Sequence, residues 1–260
     1  MTEHNSLIDP RWSRQALERY KARLKAQREE AEERNKGKPS SPEDKPESPG
    51  KRTVSASINL SDYIQIPDTK WIISKNELYK GSNWTDSHFR LAENGLFMPT
   101  PAIFMDYLAK MIEATQRKRE LFYADGRKMN RYELSKLASF LKRDAKRYFS
   151  WLNAKFVKDS DSWKIITSRV ENGKLVEDIN PLEECVKKSG HVEGSFNFNS
   201  QGMPIRTADL KKGRLNFYFY YPKPNCVTYI DITSRWISMF CLAKAEDRDQ
   251  NCGTFGCCRG

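Results

Sequence analysis

The spacing of apolar and polar positions changes along this chain, from a helical repeat to a strict alternation. A threonine flanked by two prolines opens the first clear helix: Thr100 suits its N-cap and Pro101 its first turn. Ile103, Phe104, Tyr107, Leu108, Met111 and Ile112 then recur at helical spacing, so one face is expected to be buried. Ala124-Asp125-Gly126 reads as a stop. Asn130 followed by Glu133 reads as a capping box. It predicts a second helix with a stripe of Leu134, Leu137, Ala138, Leu141, Ala145, Tyr148 and Phe149. Downstream the period becomes two. SWKIITSRV and KLVEDI flank Glu171-Asn172-Gly173, a strong short-range hairpin signal. Asn180, Pro181 and Glu183 predict a short helix that Gly190 closes. RLNFYFYYPKPN predicts a buried aromatic strand stopped by its two prolines.

Upstream the pattern is weaker. Residues from Pro10 to about Asn35 favour helix, but Trp12, Leu17, Tyr20 and Leu24 make only a thin stripe. Such a helix needs a partner surface. NKGKPSSPEDKPESPGKRT follows, and its composition predicts a disordered linker. Order is expected to resume near Ile58 to Ile66, followed by an aromatic, irregular stretch to Pro101. Helices first and strands later predict an α+β domain over 58–260, behind an arm over 1–57.

The closing stretch, VTYIDITSRWISMFCLAKAEDRDQNCGTFGCCRG, holds two unlike sets of side chains. On a strand, Thr228, Ile230 and Ile232 share one face, and Tyr229, Asp231 and Thr233 the other. Past a tight turn or bulge at 233–236, Ile237, Met239, Cys241 and Ala243 continue the apolar face. Trp236, Ser238, Phe240 and Leu242 then continue the mixed one, with Arg235 and Lys244 at its borders. A sheet buried on both sides would suit Trp236, Phe240 and Leu242 but not Asp231, Arg235 and Lys244, because unpaired buried charge is costly. Aromatic anchors among varied polar groups are what binding surfaces use, so an exposed binding face is expected. The polar loop 245–254, with Asp247, Asp249 and Asn251, extends it.

Composition narrows the chemistry. The 260 residues are 38% hydrophobic, with 11 Tyr, 13 Phe and 6 Trp, enough aromatic mass for one substantial core. No run of about 18 apolar residues predicts a transmembrane helix, and no apolar N-terminal segment predicts a secretory signal. No membrane insertion is expected, and the chain reads as cytoplasmic or mounted on a particle. The net charge is +11, of which residues 117–147 carry +7, from 11 basic and 4 acidic groups. That segment reads as helical. With 11–28, where seven basic groups face Glu18 alone, it is the alternative site for nucleic acid. Six cysteines lack metal-ligand spacing such as CxxC, so free thiols and no metal or cofactor are expected. GxSxG, P-loop and HExxH motifs are absent, and no enzyme is predicted.

The C-terminal pattern resembles the variable region of proteins diversified by retroelements, especially archaeal ones with a C-type-lectin fold. The matching residues are the aromatic strand NFYFYYP at 216–222, the frame Ile230, Ile232, Ile237, Met239 and Cys241, a polar loop and a short closing strand. The chain ends Phe255-Gly256-Cys257-Cys258-Arg259, one residue more before Arg than the family pattern. The resemblance covers 216–260. It implies a C-type-lectin-like domain over 58–260 that displays 227–260 as a randomised surface and carries no catalysis. The target is then specific to this variant, and a protein is the expected class. Tyr229, Trp236 and Phe240 are the expected anchors, with Asp231, Arg235 and Lys244 setting charge preference. On this reading, alanine across the outer face leaves the fold intact. Calcium-dependent sugar binding is not expected, since no Glu-Pro-Asn or similar cluster is present.

Overall fold

The computed structural model describes residues 58–116, 118–138, 148–192, 197–207, 216–233 and 236–260, all within the compact unit Thr53–Gly260. The expected arm helix, the linker and the basic segment 11–28 lie outside the described residues. Among the described residues the chain is α+β, with strands predominating.

A small antiparallel sheet holds both ends of the domain. β1 (Tyr63–Gln65) pairs with β2 (Trp71–Ser74) and β3 (Phe122–Tyr123), and β12 (Cys257–Arg259) pairs with the far side of β2. Phe255 turns into the main core just before β12. Gly256 follows because a Cβ there would come within 2.7 Å of Leu96.

Among the described residues there are three α-helices, and the first two pack on strands of the large sheet. α1 (Trp84–Ala92) is capped by Asn83, whose side chain accepts from the Asp86 N–H at 2.7 Å. This helix falls in the stretch that the sequence pattern left irregular. α2 (Pro101–Thr115) starts as expected, with the Thr100 hydroxyl on the Ile103 N–H, and buries Phe104, Tyr107, Leu108 and Met111. It ends before Ala124-Asp125-Gly126, which instead forms the turn after β3, where the Gly126 N–H bonds to Tyr123. α3 (Arg131–Leu137) has the expected capping box of Asn130 and Glu133.

α3 is much shorter than its apolar stripe suggested. Leu141 and Ala145 lie outside the described residues, and Tyr148 and Phe149 open β4 (Tyr148–Asp159). Their helical spacing from Leu134 is outweighed by ladder pairing, which places Tyr148 opposite Ile232 and Phe149 opposite Asp231. The reading of 117–147 as helical is corrected likewise. Its described part holds β3, a turn and the seven residues of α3.

The large sheet runs in the order β6-β5-β4-β9-β10-β8-β7, with β11 (Cys252–Thr254) parallel to β4. The other strands are β5 (Ser162–Glu171), β6 (Lys174–Pro181), β7 (Gly190–Val192), β8 (Asn216–Tyr220), β9 (Cys226–Ile232) and β10 (Trp236–Ala243). β5 and β6 form the expected hairpin. Asn172 and Gly173 both take positive φ, 50° and 73°, as the turn between them demands. The short helix expected after Asn180 does not form. Asn180 and Pro181 end β6, and Glu183 is occupied by the Ser200 N–H and hydroxyl. β4 carries a bulge against β9 between Leu152 and Lys155; on its other side, where the ladder to β5 stops at Lys155, the Asn153 side-chain amide bonds both backbone groups of Ser168 at 2.7 Å. The main core lies between one face of this sheet, α2 and the small sheet, and includes Ile230, Ile232, Ile237, Met239 and Cys241.

Candidate functional site

The frame residues of the closing stretch fall where their alternation put them. β9 and β10 pair antiparallel, with Ile232 opposite Ile237 and Ile230 opposite Met239, and all four enter the main core. The mixed set occupies the opposite face, with Asp231 opposite Ser238 and Tyr229 opposite Phe240. The Thr233 N–H bonds to the Trp236 carbonyl at 2.8 Å and closes the hairpin. Arg235 lies outside the described residues.

That opposite face is larger than the hairpin. Its registers align Trp151, Tyr229, Phe240 and Tyr220 in one row across β4, β9, β10 and β8. The rings touch in sequence. Trp151 meets Tyr229 edge-on with centroids 5.8 Å apart. Tyr229 stacks on Phe240 at 4.7 Å, and Phe240 stacks on Tyr220 at 4.1 Å. The next row is Cys252, Phe149, Asp231, Ser238, Tyr218 and His191. His191 packs edge-on to Tyr218 at 4.8 Å and lies 5.5 Å from Trp236.

This arrangement corrects the expectation of an open face. Tyr229, Asp231 and Phe240 are only 3%, 4% and 4% exposed. Stacked aromatic pairs add to the gain from burying their area, so Tyr229 and Phe240 stabilise the sheet together rather than as separate anchors. They belong to a second aromatic layer outside the main core cluster. Asp231 is buried beside them, against the expectation that its charge kept that face open. Thr233, Trp236, Ser238 and Leu242 are half-buried and Lys244 is exposed. Those five give the mixed face its solvent contact.

The loop after β10 divides the same way. Asp247 and Asp249 are buried and hold turns: Asp247 accepts the Lys244 N–H at 2.9 Å and Asp249 the Asn251 N–H at 2.8 Å. Their backbone-capping role explains their burial where ligand contact was expected. Asn251 is exposed.

Tyr218 and His191 join the half-buried end of the face, and the sequence reading did not include them. The signal was present for Tyr218. In NFYFY the period of two sends Phe217 and Phe219 to the core and Tyr218 and Tyr220 to the other face. Burial lowers the His191 pKa, and its Nδ1 is buried without a hydrogen-bond partner. Burial raises the Tyr218 pKa, so at neutral pH this edge presents uncharged rings.

All six cysteines are free, and burial pushes each thiol pKa up. Among the described residues no three His, Cys, Asp or Glu side chains are grouped to hold a metal ion. Several described cations of 117–147 are engaged by carboxylates: Arg119 by Asp68 and Glu113, Arg127 by Glu133, and Lys128 by Glu120. No helix among the described residues is long and apolar enough to cross a membrane. No family model, curated protein or solved structure matches this chain.

Proposed function

We propose that this chain is a diversified ligand-binding protein of the retroelement type. Residues 58–260 are then a C-type-lectin-like display domain and 227–260 its variable region. The observation that carries this reading is the division within one hairpin. Ile230, Ile232, Ile237, Met239 and Cys241 are committed to the core, while the alternate positions hold unrelated chemistries on the other face. A segment built so can change its outer residues while its backbone stays fixed by the inner ones.

The burial pattern refines which residues meet the target. Trp236 is the anchor, with Thr233 and Ser238 beside it, while Leu242, Lys244 and Asn251 add contacts farther along the face and loop. Tyr229, Asp231 and Phe240 form the buried part of the same face. A half-buried aromatic flanked by hydroxyl side chains suits a protein surface.

Sequencing the DNA around the gene tests this directly. The expected result is a neighbouring reverse transcriptase and a template repeat that matches codons 227–260 except at adenines. A neighbourhood holding neither overturns the proposal. The template also predicts its own pattern: variable codons at Trp236, Ser238 and Lys244, and fixed codons at Ile230 and Met239.

A further inference from the structure

β6 ends the large sheet, and among the described residues no strand pairs with its outer edge. It is eight residues long and largely exposed, with Ile179 at 58%. The turn tells which backbone groups face that open edge. A two-residue turn is closed by a hydrogen-bonded pair, here Glu171 and Lys174, and bonded and non-bonded pairs then alternate. Lys174, Val176, Asp178 and Asn180 therefore direct their N–H and C=O groups to β5. Leu175, Glu177 and Ile179 direct theirs outward. Three details agree. Pro181, which has no N–H, falls in the outward set. Its carbonyl accepts from Gln201 Nε2 at 2.7 Å, and the Leu182 N–H returns to the Trp163 carbonyl at 2.9 Å.

Pro181 and Gln201 thus close one end of the edge, and the rest is a template for another strand. The side chains select which strand fits. Antiparallel self-pairing that matches the outward groups overlaps best in three registers, centred on Val176, Glu177 or Asp178. The last two set Glu177 or Asp178 against its own copy, and like charges directly opposite are destabilising. Centring on Val176 sets Val176 against itself and Lys174 against Asp178 of the second copy, twice. It also brings Leu175 diagonal to the exposed Ile179. On this face Arg169 bridges Glu171 and Asp178, and Lys174 stands directly opposite Glu171, so the face carries equal numbers of both signs for a second copy to match. We propose that two copies of this chain join through β6, antiparallel about a two-fold axis at Val176, extending the sheet across both.

Sedimentation of the full chain tests this. Two chain masses are expected for the native protein. Glu177→Pro removes an outward N–H and leaves the bonds to β5 in place, so it should give one chain mass with an unchanged circular dichroism spectrum. Lys174→Asp and Asp178→Lys should each weaken association about tenfold, since each reverses two symmetric pairs, and the double exchange should restore it. A native protein of one chain mass at millimolar concentration overturns the proposal. So does a dimer that withstands the single exchanges, or one that the double exchange does not restore. If Glu177→Pro fails to fold, the charge-exchange series decides alone.

Discussion

The two hairpins of the large sheet, β5–β6 and β9–β10, use the same alternation and meet opposite fates. In β5–β6 the outer strand is largely exposed; in β9–β10 every residue of β9 is buried. The difference is position. Among the described residues β6 has a neighbour on one side, whereas β9 lies between β4 and β10, and β10 between β9 and β8. A period of two states which residues share a face. It does not state what the neighbouring strands place beside them.

Substitutions at increasing distance from the covered middle of the sheet sharpen this contrast. Phe240→Ala removes a ring stacked on both sides and should destabilise the domain by about 3–5 kcal/mol, read from denaturant midpoints. A loss below about 1 kcal/mol, as for a surface site, would break the comparison by making the mixed face dispensable. Met239→Ala, on the core face of the same strand, should cost about 2–5 kcal/mol in the same assay. Asn130→Ala removes one half of a capping box and should cost about 1 kcal/mol by thermal melting. Ser238→Ala, half-buried on the mixed face, should change stability by no more than about 0.5 kcal/mol.

A pH series adds an electrostatic test at the β11 border of this sheet. Burial raises the Glu77 pKa from 4.5 to about 7, although Lys80 lies 3.1 Å away and opposes the shift. The folded state therefore holds this proton more tightly than the unfolded chain does. Its contribution to stability is fully present below pH 4.5 and is lost as pH rises through about 7. Glu77→Gln should flatten that decline, measured as denaturation midpoint against pH. An identical slope in the variant would remove Glu77 as its source.

Much of this architecture was legible where the cause was local. The Asn172-Gly173 turn, the Thr100 cap and the Asn130–Glu133 box each need only neighbouring residues, and each formed. The two faces of β9 and β10 were legible for the same reason. What was not legible came from distant partners. Tyr148 and Phe149 fit a helical stripe until Ile232 and Asp231 are set opposite them. Tyr229 and Phe240 read as exposed anchors until Trp151 and Tyr220 flank them. The helix over Trp84–Ala92 differs, because its cap, Asn83 with Asp86, is local and readable in the sequence.

The pairing of β12 with β2 carries a kinetic consequence. Ser74 and Gly256 are joined by hydrogen bonds although 182 residues separate them in the chain. Contacts of such long range bear the loop-closure cost of everything between them and are expected to form late in folding. The docking of β12 on β2 is therefore expected to close the small sheet only after the intervening strands have assembled. Weakening it, for instance at Gly256, should leave the refolding rate nearly unchanged and hasten unfolding instead.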